Sequence, residues 1–137
     1  MDYAGDLSPT DTYAALAADE RAVLVDVRTA AEWTYVGLPD LTPIGKQALT
    51  VEWQHYPAGT LNAAFVDDLL EAGVEPGQPV YFLCRSGVRS VHAATAATAA
   101  GLGPAYNVLD GFEGPHDGAH HRTVSGWKVA GLPWRQG

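Results

Sequence analysis

Apolar runs and their polar interruptions set out the elements of this chain. Residues 23–27 are apolar except for Asp26, the pattern of a strand buried on both faces. Residues 80–83 form a second such run and residues 105–109 a third, which ends at Asp110 and Gly111. Helical signals lie between them. Ser8 suits an N-cap, Pro9 the first helical position and Asp11 the positive helix end, with Tyr13, Leu16 and Ala17 giving apolar spacing up to about Asp19. Thr29 and Glu32 read as a capping box for a short helix carrying Trp33, and Arg28 and Glu32 as an ion pair across its first turn. Asn62 is placed to cap a helix bearing Phe65, Val66, Leu69 and Leu70, which Gly73 stops. A turn is expected over residues 75–79. An alanine-rich helix is expected over residues 91–100, carrying His92 as an ordinary helix residue and closed by Gly101 and Gly103.

Strands alternating with helices predict an α/β fold with a mostly parallel central sheet and helices on both faces, as one domain over residues 1–137. Two stretches resist this reading. Residues 35–59 hold Gly37, Pro39, Pro43, Gly45, Pro57 and Gly59, with strand character only over 48–53. Trp53, His55 and Tyr56 are expected there as aromatics packing a long loop onto the core. Near the C-terminus a polar loop contains His116, Asp117, His120 and His121, whose spacing matches no defined metal-ligand pattern, so no metal is expected. Trp127 and Trp134 are expected to anchor the tail.

Composition narrows the function classes. A net charge of -8 argues against nucleic acid as a partner, because phosphate backbones require basic surface. No apolar run approaches the roughly 20 residues of a membrane span, and no secretory leader is visible, so a cytoplasmic protein is expected. The chain has one cysteine, which excludes an internal disulfide and any resolving thiol within the chain.

That cysteine is where the chemistry concentrates. Cys84 follows the apolar run 80–83 directly, and Arg85, Ser86, Gly87, Val88, Arg89 and Ser90 come next, ahead of the alanine-rich helix. A strand–loop–helix of this kind turns backbone N–H groups and the helix's unsatisfied first-turn amides toward one point, a cradle for an anion. Arginines and a helix N-terminus also favour thiolate over thiol. Cys84 is therefore the candidate nucleophile, at the strand end where α/β sheets bind ligands. Asp26 admits two readings: a strand-end carboxylate that caps the next turn, or the partner of an arginine, Arg28 or one in the loop.

Cys84 and Arg89 stand as Cys-x4-Arg, one residue shorter than the Cys-x5-Arg loop of tyrosine phosphatases, and a smaller cradle suits a sulfur atom carried on the cysteine. Residues 84–90 resemble the active-site loop of the rhodanese family of sulfurtransferases. Asp26, Val27 and Arg28, with Glu32 and Trp33 following, resemble that family's first signature. The chain departs from the family pattern at Gly37, Leu38 and Pro39, where a glycine-histidine-isoleucine stretch is usual. It departs again at Gly111 and Gly114, which are spaced rather than paired. The resemblance implies a rhodanese-like fold and a thiosulfate sulfurtransferase-like enzyme working through a Cys84 persulfide without a cofactor. It also implies a small anionic sulfur donor, a cyanide, thiol or sulfur-accepting protein as acceptor, and a supporting role for Asp26 and Arg28. The alternatives are arsenate reductase or phosphatase chemistry, disfavoured by the short loop, and a non-catalytic binding module, disfavoured by the retained cysteine and arginines.

Overall fold

A computed structural model describes residues 3–55, 60–85, 88–113 and 126–135. Tyr56, Ser86, Gly87, His116, Asp117, His120 and His121 lie outside the described residues. In chain order the elements are β1 (Gly5–Leu7), α1 (Pro9–Ala18), β2 (Val23–Asp26), α2 (Ala30–Tyr35), β3 (Leu38–Pro39), a 3-10 turn (Thr42–Ile44), β4 (Leu49–Thr50), β5 (Gln54–His55), β6 (Thr60–Leu61), α3 (Phe65–Glu71), β7 (Pro76–Leu83), α4 (Arg89–Ala99), β8 (Gly103–Val108) and β9 (Trp134–Arg135). Five strands form the central sheet in the order β1-β8-β7-β2-β4, and every pairing within it is parallel.

Alternation along the strands sorts the side chains onto two faces. Val25, Val80, Phe82 and Ala105 point to one side, where they pack with Phe65 and Leu69 of α3 and Ala93, Ala94 and Ala97 of α4. Leu24, Tyr81, Leu83 and Val108 point to the other and meet Leu16 of α1, Phe112 and Trp127. Each large side chain buried this way contributes roughly 1.5–3 kcal/mol. Ala93, Ala94 and Ala97 of α4 are fully buried and let that helix lie close on β7 and β8, which fixes its first turn beside the end of β7.

The capping signals act as expected at two helices. Ser8 Oγ accepts from the Asp11 N–H at 3.1 Å, and Thr29 and Glu32 form a reciprocal capping box on α2. The third cap differs. α3 starts from Ala64 without a side-chain cap, while Asn62 sits two residues earlier and accepts from the Ala64 N–H at 3.0 Å. Its amide nitrogen donates to the Glu52 carbonyl and to Asp68 of α3, each at 2.9 Å, so it ties the Glu52 loop to the start of that helix without serving as its N-cap.

Strand ends also differ from expectation. β7 already begins at Pro76, across a register irregularity between Pro76 and Val80 that the turn-like composition of 75–79 concealed. The strand expected over 48–53 is only the two residues of β4. The α4 helix starts at Arg89, two residues earlier than its apolar pattern suggests, so Arg89 and Ser90 belong to its first turn. Trp127 is fully buried and donates its Nε1 N–H to the Pro133 carbonyl at 2.8 Å. Trp134 is half exposed, pairs through β9 with β3 and meets Phe112 edge-on.

Candidate active site

Cys84 is the first residue beyond β7, at the carboxyl end of the sheet's middle strand, and is buried. Backbone contacts hold it on two sides. The Val27 N–H reaches the Leu83 carbonyl at 2.8 Å, and the Phe112 and Glu113 N–H groups reach the Cys84 and Arg85 carbonyls at 2.8 and 3.0 Å. The second pair depends on the turn after β8, where Asp110 and Gly111 both take left-handed φ, 61° and 60°. A Cβ on Gly111 would collide with the Cys84 carbonyl oxygen and stand 2.6 Å from the Arg85 carbonyl carbon, so the turn closes under the loop only with glycine there.

Each arginine near the thiol meets a carboxylate. Arg89 presents its two terminal nitrogens to Glu32, Nη1 to Oε1 at 2.7 Å and Nη2 to Oε2 at 2.9 Å, a fork joining α4 to α2. Desolvation works against the Arg89 charge, yet the hydrogen bonds and charge of Glu32, with Cys84 and Asp26 further off, hold its guanidinium above the ordinary arginine range. Desolvation likewise opposes ionisation of Glu32, and Arg89, the Thr29 N–H and Arg28 more than offset it, leaving that carboxyl below its usual range. Arg85 is half exposed, with Nε 2.9 Å from Glu113 Oε2. That Glu113 oxygen receives no aligned hydrogen bond, so the contact is an ion pair only.

Arg28 is fully buried, and so is its partner Asp26. Its Nε lies 2.9 and 3.1 Å from the two Asp26 oxygens, and Nη2 reaches Asp26 Oδ2 at 2.6 Å and the Gly37 carbonyl at 2.7 Å. The guanidinium carbon sits 4.3 Å from the centre of the Phe112 ring. Asp26 meets both readings at once: its Oδ1 accepts from the Arg28 backbone N–H at 3.1 Å, capping the turn, and its carboxylate pairs with the Arg28 guanidinium. The expected Arg28–Glu32 pair is not formed, because Asp26 takes Arg28 and Glu32 turns to Arg89. Among the aromatics expected to pack the long loop onto the core, Trp53 does so. Trp53 stacks on His92 at 6.5 Å and meets Phe65 edge-on at 5.0 Å, while His55 turns to Glu52 at 3.1 Å.

Behind the thiol lies a polar group that the apolar reading of strand 105–109 passed over. Ser90 Oγ is 3.2 Å from Cys84 Sγ and bonds to Asn107 Oδ1, and Asn107 is buried on β8. Asn107 was legible as the single amide in an apolar strand. Glu113 had no local signal, because its partner lies across a whole helix and strand. Among the described residues, no three His, Cys, Asp or Glu side chains are grouped to hold a metal ion, and no helix is long and apolar enough to cross a membrane.

Comparison with known proteins gives these features a family. The family described as STR4 middle domain matches residues 4–137, and the chain belongs to it as a rhodanese-like domain protein. It is similar to Rv0390 from M. tuberculosis, known from a crystal structure, with 52% identity and a TM-score of 0.91 over 98% of this chain and 99% of that one. It is 28% identical over 128 residues to the Arabidopsis thaliana protein Rhodanese-like domain-containing protein 4, chloroplastic, covering 93% of this chain and 25% of that protein. The polysulfide-sulfur transferase homodimer of Wolinella succinogenes shares the fold, with 24% identity and a TM-score of 0.70 over 98% of this chain and 79% of that one.

Proposed function

We propose that this protein is a sulfurtransferase that carries sulfane sulfur on Cys84. The observation that carries the reading is the position of the chain's only cysteine: at the carboxyl end of the middle strand, immediately before the first turn of α4, with Arg85 and Arg89 beside it. The shared fold with a polysulfide-sulfur transferase supports it.

Two displacements make up the cycle. Cys84 thiolate attacks the outer sulfur of thiosulfate. The new S–S bond forms as the donor's S–S bond breaks, and sulfite leaves with the electron pair. Cyanide or a thiol, including one on a sulfur-accepting protein, then attacks the terminal sulfur and returns the electron pair to Cys84. The charge of the terminal sulfur falls to Arg85, Ser86, Gly87, Val88, Arg89 and Ser90, as that of oxygen falls to an oxyanion hole. Within that set the arginines divide their work. Arg89, forked on Glu32, fixes the loop against α2, and half-exposed Arg85 is the cation that meets the donor. Asp26 and Arg28 support from below as a buried pair, and no cofactor takes part.

Thiocyanate formation from thiosulfate and cyanide tests the reading. Cys84→Ser is expected to abolish it at unchanged melting temperature, and substantial residual turnover would sink the mechanism.

A further inference from the structure

Ser90 stands on the first turn of α4, yet its side chain is fully buried. Its hydroxyl oxygen is 3.2 Å from Cys84 Sγ and 2.5 Å from Asn107 Oδ1. The second contact decides the direction of the first. An amide oxygen only accepts, so the Ser90 proton goes to Asn107. The orientation of that amide is set in turn by Asp6. A carboxylate also only accepts, and Asp6 Oδ1 takes the Asn107 Nδ2 N–H at 3.0 Å. The parallel register of β1 on β8 places Asp6 directly beside Asn107, and the Tyr3 hydroxyl donates to the same Asp6 oxygen at 2.9 Å. With its proton committed, Ser90 offers Cys84 a lone pair. A protonated thiol satisfies that lone pair by donating S–H, whereas a thiolate or a persulfide's inner sulfur has no proton to give it.

We propose that Asn107, oriented by Asp6, is a positioning residue that sets the direction of the Ser90 hydroxyl, so that its oxygen accepts from the Cys84 thiol instead of donating to the sulfur. When the thiol proton leaves to solvent, Ser90 turns its own proton from Asn107 to the sulfur, giving up one hydrogen bond to make another. The inference rests on Cys84 being the nucleophile, and it holds for any sulfur donor.

Other charged and titratable groups stand on the elements around the thiol. They are Asp26 and Arg28 at the end of β2, Glu32 of α2 through its fork on Arg89, Arg89 and His92 of α4, and Arg85 with Glu113 beyond β8. All of these stay in place when Asn107 is changed, so a comparison of variants isolates the Ser90 hydroxyl.

The experiment follows thiolate absorbance against pH in the full chain, with Cys84→Ser as the baseline, and iodoacetamide alkylation at mildly acidic pH. Neither readout requires sulfur transfer to succeed, so failure of the proposed activity and failure of this inference are distinguishable. Asn107→Leu removes the competing acceptor at similar size. The titration midpoint should move to lower pH and alkylation should quicken about fivefold, the equivalent of one hydrogen bond of ~1 kcal/mol. Asp6→Leu, at an exposed position, removes the acceptor that orients the amide and should shift both readouts in the same direction. The shift should exceed the one in a Ser90→Ala background, where only the lost Asp6 charge acts, and it decides the matter if Asn107→Leu does not fold. In a Ser90→Ala background, Asn107→Leu should change neither readout. An unmoved or raised midpoint in the folded variants, including one accompanied by a lower melting temperature, would overturn the proposal. So would a shift of equal size without the Ser90 hydroxyl.

Discussion

Three arginines lie near Cys84, and each is neutralised by a carboxylate: Arg28 by Asp26, Arg85 by Glu113 and Arg89 by Glu32. These pairs differ in what they leave available. The Asp26–Arg28 pair is buried, and separating it would strand a charge in the core at a cost of about 3–5 kcal/mol. The Arg85–Glu113 pair is partly exposed and lacks an aligned hydrogen bond, so an arriving dianion competes with Glu113 at little cost. Glu113→Gln should therefore lower KM for thiosulfate about threefold, in line with the small strength of exposed pairs, and change kcat less. Steady-state kinetics with thiosulfate and with a singly charged persulfide donor checks this, and an equal change for both donors would mean that Glu113 does not compete for Arg85. At this scale the sequence made the candidate nucleophile legible, because a lone cysteine between an apolar run and a glycine–arginine loop has few other uses. Of the charge partners, Asp26 for Arg28 was one of the sequence readings, and Glu32 for Arg89 and Glu113 for Arg85 were not legible. Glu32 sits as close in sequence to Arg28 as an ion pair requires, and only the fold shows that Asp26 reaches Arg28 first.

Among the elements, the Glu32–Arg89 fork is the side-chain tie between α2 and the start of α4. Its pH behaviour follows from the direction of the Glu32 shift. A carboxyl whose folded-state pKa lies below its unfolded value contributes stability that is present above the unfolded pKa and lost as pH falls through the folded pKa. The melting temperature of Glu32→Gln should therefore lie below that of the unsubstituted protein at neutral pH, and the gap should close as pH drops through the carboxylate range. A gap that stays constant into acid would show that the fork contributes nothing through its charge. These elements were readable because their apolar patterns and caps agree: α1 from Ser8 and Pro9, α2 from its capping box, and β2 from a run that is apolar except for Asp26. β1, β3, β4, β5, β6 and β9 span two or three residues each, too few to show a period, and pairing across the chain alone makes them strands. The start of α4 was hidden for a related reason. Arg89 and Ser90 look like loop residues, but the helix they begin is fixed by the buried alanines behind it.

At the scale of the molecule, the described residues place a five-stranded parallel sheet between two apolar layers, beside two small antiparallel pairs, with the thiol at the carboxyl end of the large sheet's middle strand. Alternating strands and helices made that architecture legible before any coordinates. Of the residues that surround the thiol from elsewhere in the chain, Asn107 had a signal as the one amide in its apolar run, while Glu113 and Gly111 had none. The central claim is that this arrangement loads sulfur onto Cys84. The intact mass of the protein, recorded after thiosulfate and again after cyanide, tests it most directly. The account predicts a gain of one sulfur atom that cyanide removes and that Cys84→Ser does not show. An unchanged mass on folded protein, with thiosulfate and with a polysulfide donor alike, would contradict it.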